Sequence, residues 1–110
     1  MGLPWVQTVV AAAPAGAQTP YAADWMQTPF STQWSVEGIG GGVTGTYNVE
    51  YTLDDVNAVA SPTWFASVSA ATANGTGFIG QPVQFIRVNF TTGPVGGNTT
   101  FRILQGMSAR

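Results

Sequence analysis

Eight residues carry a formal charge, and they are where chemistry would have to come from: Asp24, Glu37, Glu50, Asp54 and Asp55, with Arg87, Arg102 and Arg110. The chain has no histidine, cysteine or lysine. The commonest general base, the thiol nucleophile and the usual transition-metal ligands are therefore missing, and so is the amine of Schiff-base catalysis. A Ser-His-Asp triad cannot be assembled. Glycoside hydrolysis needs two carboxyl groups close together, one of them held protonated. Glu37 and Glu50 are the pair that a hairpin would oppose. Both fall in the polar rows of their strands, where water keeps a carboxylate ordinary and like charges in register weaken the pairing. The residue types point away from an enzyme and call for no cofactor.

Asp54 and Asp55 form the one acidic cluster. With Glu50 upstream and Asn57 downstream they could offer oxygen ligands to Ca²⁺. The Asp-x-Asp-x-Asp-Gly spacing of a calcium loop is absent. Aspartates that follow a strand more simply hold nearby backbone N–H groups in an Asx turn. No metal is expected, and Asp54 and Asp55 are the weak candidates for one. Arg87 and Arg102 sit opposite the apolar rows of their strands, which are expected to be neighbours. They could pair with Glu37 or Glu50 across a sheet or across a subunit contact. The four tryptophans could stack on sugar rings. Trp34 is in phase with Val36, and Trp64 follows Pro62 at a strand start, so both read as core or sheet edge; Trp5 and Trp25 are left to be exposed.

The elements that must position these residues are strands. From Thr46 to Leu53, Tyr47, Val49, Tyr51 and Leu53 point one way while Thr46, Asn48, Glu50 and Thr52 point the other. Val83–Thr92 repeats the pattern with Ile86, Val88 and Phe90 against Arg87 and Asn89. Thr99–Gln105 repeats it with Phe101 and Ile103 against Arg102 and Leu104. Gly93–Asn98 between the last two reads as a hairpin loop. Ser31–Ile39 is a strand with Trp34 and Val36 inward, and Gly38–Gly42 turns it into the next. Trp5–Val10, Trp64–Val68 and Gly77–Ile79 are further strands. Ala70–Gly77 has the composition of a flexible loop tip. A single helical turn fits Asp54–Asn57. Short strands at this spacing predict an all-β fold, a single small β-sandwich or jelly-roll-like barrel.

The chain divides into residues 1–30, an N-terminal strand and extended arm, and 31–110, the β-sandwich, within one domain. Ala11–Phe30 does not alternate, and could lie over its own sandwich or over a neighbouring subunit. The uncharged stretch Met1–Ala23 is broken by Pro4, Pro14 and Pro20, which argues against a membrane helix. No Lys or Arg precedes it, so a secretion signal is not expected. Sequons at Asn74, Asn89 and Asn98 are expected by chance in a Thr-rich chain.

Composition carries the strongest functional signal. Charged residues are 7% of the chain, against about 25% in a typical soluble domain. The net charge of −2 argues against nucleic acid and anionic membrane as partners. A surface of Thr, Ser, Asn, Gln, Gly and Ala is poorly protected from association and reads as one meant to be covered by protein.

Tyr47-Asn-Val-Glu-Tyr-Thr-Leu-Asp-Asp-Val56, then Ser61-Pro-Thr-Trp-Phe65, Pro82-Val-Gln-Phe-Ile-Arg-Val-Asn-Phe90 and Gly97-Asn-Thr-Thr-Phe-Arg-Ile-Leu-Gln-Gly106 resemble small structural proteins of tailed bacteriophages. These are encoded among capsid and tail genes. The resemblance spans residues 30–106 and leaves the N-terminal portion outside. It implies a virion component, a capsid cement (decoration) protein on the capsid exterior. Such a protein binds the major capsid protein, stabilises neighbouring coat subunits and is commonly trimeric. Trp5, Tyr21, Trp25, Phe30, Arg87 and Arg102 are the interface candidates under this reading. The alternatives are another virion part (tail, connector or fibre-associated module) and a carbohydrate-binding β-sandwich module.

Overall fold

The computed structural model describes residues 4–12, 14–26 and 29–106. They form nine strands: β1 (Trp5–Val9), β2 (Gly16–Ala17), β3 (Tyr21–Ala22), β4 (Thr32–Glu37), β5 (Thr44–Thr52), β6 (Phe65–Ala71), β7 (Gly75–Ile79), β8 (Phe85–Val95) and β9 (Thr99–Gln105). The described residues contain no helix. Asp55 accepts the N–H groups of Ala58 and Val59 in one tight turn, where the sequence suggests a helical turn.

Pairing runs from the outside of the chain inward. β1 pairs with β9, β2 and β3 with β8, β4 with β7, and β5 with β6, all antiparallel. Further pairing of β4 with β9 and β5 with β8 assembles two sheets, β1-β9-β4-β7 and β2-β8-β5-β6, with β3 also on β8. Successive pairs alternate between facing sheets, which is the winding of a jelly roll. Every strand that alternates in sequence buries its apolar row between the sheets. Val9, Trp34, Val36, Phe101 and Ile103 come from one sheet, and Tyr47, Val49, Ile86, Val88 and Phe90 from the other. Each such side chain contributes on the order of 1.5–3 kcal/mol by leaving water. Gly77 makes the packing of Trp34 possible, since a Cβ there would stand 2.5 Å from the indole ring.

Two expected hairpins do not form. β4 and β5 lie in different sheets, so Glu37 and Glu50 never face each other. β8 continues through Gly93-Pro94 to Val95, and Gly96–Asn98 carries the chain to the opposite sheet, so Arg87 and Arg102 are not neighbours. The physical reason is that alternation marks only which row is buried. Two strands consecutive in sequence bury those rows equally well by facing each other across the core. Other boundaries shift. Leu53 lies beyond the end of β5 and is exposed, while Thr52 is buried. The expected loop at 70–77 shrinks to Thr72–Asn74 because β6 and β7 extend into it.

The segment after β1 lies on the chain's own sandwich. Gly16 and Ala17 pair with Phe90 and Asn89, and Tyr21 and Ala22 pair with Ile86 and Phe85. Ala23 and Phe30 are buried in the core. β1 itself is an integral strand of the four-stranded sheet, so the N-terminal part is built into both layers.

Candidate interaction surface

The five-stranded sheet turns a tied-down face outward. Glu50 on β5 stands opposite Arg87 on β8. Arg87 donates from Nε to Glu50 Oε1 at 2.8 Å, and the two side chains are only 20% and 12% exposed. Glu50 Oε2 accepts from Asn48 Nδ2 at 3.3 Å and from Asn89 Nδ2 at 3.4 Å. The Arg87 guanidinium lies over the Trp64 ring, 3.9 Å from its centroid. Trp64 precedes β6 and closes over the polar row from outside, instead of entering the core or a sheet edge. A carboxylate with three donors and a cation capped by an indole is a satisfied network. Thr52 is fully buried beside it.

The four-stranded sheet turns a bare face outward. Its outward rows follow from the register: Val6–Arg102–Ser35–Thr76, and beside it Leu104–Gln33–Phe78. Phe78 is 65% exposed, Val6 54% and Leu104 47%. Arg102 donates from Nη1 to Glu37 Oε2, but here both side chains are open to water. Pro4, Gln33, Arg102 and Leu104 rim a hollow of about 230 Å³ on this face.

The ends of the sandwich also differ. The loops at 38–43, 72–74 and 96–98 gather at one end and carry no charge. They border a cleft of about 480 Å³ lined by Ile39, Val43, Thr44, Thr46, Thr72 and Thr92. The other end holds Asp24, Asp54 and Asp55. There an apolar groove of two hollows, about 570 and 190 Å³, shares Leu53, Pro82 and Val83 and reaches from Trp25 to Phe78.

The residues singled out in the sequence scatter. Arg87 and Arg102 occupy opposite outer faces, each held by a glutamate of this chain. Trp5 is half-buried, 5.5 Å from Tyr21 and 6.2 Å from Phe101 between ring centroids. The Tyr21 hydroxyl lies 3.2 Å from Gln105 Oε1. Burial, with Asp24 nearby, pushes the Tyr21 phenol above its ordinary value of 10.0, and burial alone does so for Tyr47. Phe30, a candidate interface residue in the sequence, is a core residue at 7% exposure. Trp25 is the one tryptophan that stands out into water. Asp55 Oδ1 accepts the Asn57 N–H two residues on, which is the expected turn chemistry, whereas Asp54 Oδ2 accepts the Thr63 N–H nine residues on and ties the loop across its span. No group of three or more metal-ligating side chains occurs among the described residues. Val6, Leu104 and Phe78 are not among the interface candidates of the sequence because each sits on the polar side of its strand, where a lone apolar residue looks incidental.

Comparison with known protein families, curated proteins and solved structures finds no match to this chain.

Proposed function

We propose that this chain is a non-enzymatic structural protein of a tailed-phage particle, a capsid cement protein that binds and stabilises neighbouring coat subunits from the capsid exterior. One observation carries the reading. Both described arginines are neutralised within the chain, and the four-stranded sheet leaves Val6, Leu104 and Phe78 in water on one face. Such a face gains by being covered, at about 25 cal/mol per Å² of apolar surface removed from water. A stable contact needs on the order of 1,200–2,000 Å² in total, more than these three residues supply, so adjoining loops belong to it. A lattice of many copies would add avidity. The jelly-roll winding is in keeping with this use, since viral capsid domains employ it, although fold alone does not fix function. The resemblance of residues 30–106 to phage structural proteins supplies the particle. A tail, connector or fibre position would use the same face. A sugar platform has less support, because Trp34 is in the core, Trp5 is packed on Tyr21 and Trp64 lies on Arg87.

The test is mass spectrometry and imaging of purified particles of a phage carrying this gene, with and without the gene. Stoichiometric copies on the shell, and shells that break more readily without them, are expected. Intact particles that lack the chain would overturn the proposal.

A further inference from the structure

We infer that β7 is a self-pairing edge, through which two copies of this chain join their four-stranded sheets antiparallel about a two-fold axis at Gly77. The inference names a partner for the association proposed above, and rests on that reading only in taking the chain to associate.

A sheet edge offers unpaired N–H and C=O groups to any other strand, and proteins normally blunt it with charge, proline, bulges or cover. Three edges of this sandwich are blunted. β6 carries two register shifts against β5 and Ala70 at φ 54°, which break its line. β2 and β3 have two residues each and are flanked by Pro14 and Pro20. β1 starts after Pro4 and has the arm beside it, through the Trp5–Tyr21 contact and Gln7 Nε2 donating to Thr19 O at 3.4 Å. β7 has none of these protections. Its sequence Gly-Thr-Gly-Phe-Ile has no charge and no proline. It pairs with β4 over five residues in unbroken register, and among the described residues it has no other strand partner.

The sequence of β7 is also complementary to itself. A two-fold axis at Gly77 places Thr76 opposite Phe78 of the second copy and Gly75 opposite its Ile79. Each large side chain then meets a small one, on the outer row and on the inner row alike. The pairing is isologous, so both contacts occur twice. It extends the four-stranded sheet across two copies and covers part of the exposed Phe78 ring. No charged side chain lies on either β7, so nothing on the edge itself repels the second copy. A five-residue contact is small, so the dimer is expected to dissociate readily on dilution.

The chain's lack of cysteine gives a clean test. Opposed residues in an antiparallel pair bring their Cβ atoms within about 4.5–5.5 Å, near disulfide reach, whereas diagonal ones stand about 7–8 Å apart. Full-length Thr76→Cys and Phe78→Cys proteins are oxidised separately and as a mixture, while sedimentation follows the unmodified chain from about 10 μM to about 1 mM. The expected result is a mass rising from one chain to two, and a several-fold greater yield of cross-linked dimer in the mixture than in either protein alone. A chain that stays monomeric throughout, a trimer, or cross-linking as efficient between like proteins as in the mixture would overturn the pairing. A trimer would leave the cement reading standing. Particles without the chain would end that reading and leave the pairing untouched.

Discussion

The two outer faces of this jelly roll hold similar ion pairs in opposite circumstances. On the five-stranded sheet Arg87 and Glu50 are mostly withdrawn from water, joined by Asn48 and Asn89 and capped by Trp64. On the four-stranded sheet Arg102 and Glu37 are open to solvent among Val6, Leu104 and Phe78. A partly desolvated charge that loses its partner is left with an unmet desolvation cost, whereas an exposed one is simply rehydrated. The first face is therefore finished by the chain itself. The second has polar contacts that contribute little and apolar groups that gain by cover. That asymmetry is why the cement reading assigns docking to the four-stranded side.

Substitutions can break the comparison, the largest effect first. Glu50→Ala is expected to lower stability by about 2–4 kcal/mol, because Arg87 is left without its counter-charge in a half-closed site. Equilibrium urea denaturation measures this. Trp64→Ala comes next, at about 1–3 kcal/mol in the same assay, since it removes both the stacking and the cover. If either variant unfolds like the parent, the five-stranded face is not the closed one. Glu37→Gln on the other face is expected to change stability by at most about 1 kcal/mol. Leu104→Ser with Val6→Ser is expected to stay within about 0.5 kcal/mol of the parent in urea yet bind shells more weakly in co-sedimentation. Loss of stability without loss of binding would reverse the roles of the faces.

A pH titration tests the packing behind both faces, through two tyrosines set in or against the core. The Tyr21 and Tyr47 phenols hold their protons more firmly in the folded chain. Their contribution is complete below the unfolded value near 10 and is lost as pH rises through the raised folded values. Thermal stability is thus expected to fall as pH climbs past 10, with Tyr47→Phe flattening that decline. A fall beginning near pH 8 would count against it.

Much of the fold was legible in the sequence, and each failure has its own physical cause. The alternations around Trp34, Tyr47, Ile86 and Phe101 identify four strands and their inward rows because a buried row must repeat every second residue. The pairing of Arg87 and Arg102 with Glu50 and Glu37 is readable in kind from the scarcity of other partners. Which sheet each strand joins is not readable, because β4 lies against β9 from the far end of the chain and local patterning carries no trace of that choice. Trp64 deceives because its indole is used outside the core, as a lid on a cation. The arm shows no alternation because it pairs in two-residue pieces around its prolines, too short for a period to appear.

The central claim is that companions cover the four-stranded face in the assembled particle. A cryo-electron microscopy reconstruction of a particle bearing this protein tests it most directly. The account predicts Val6, Leu104 and Phe78 buried against neighbouring subunits, and Trp64 facing solvent. A map with Trp64 and Arg87 at the contact, and Leu104 bare, would contradict it.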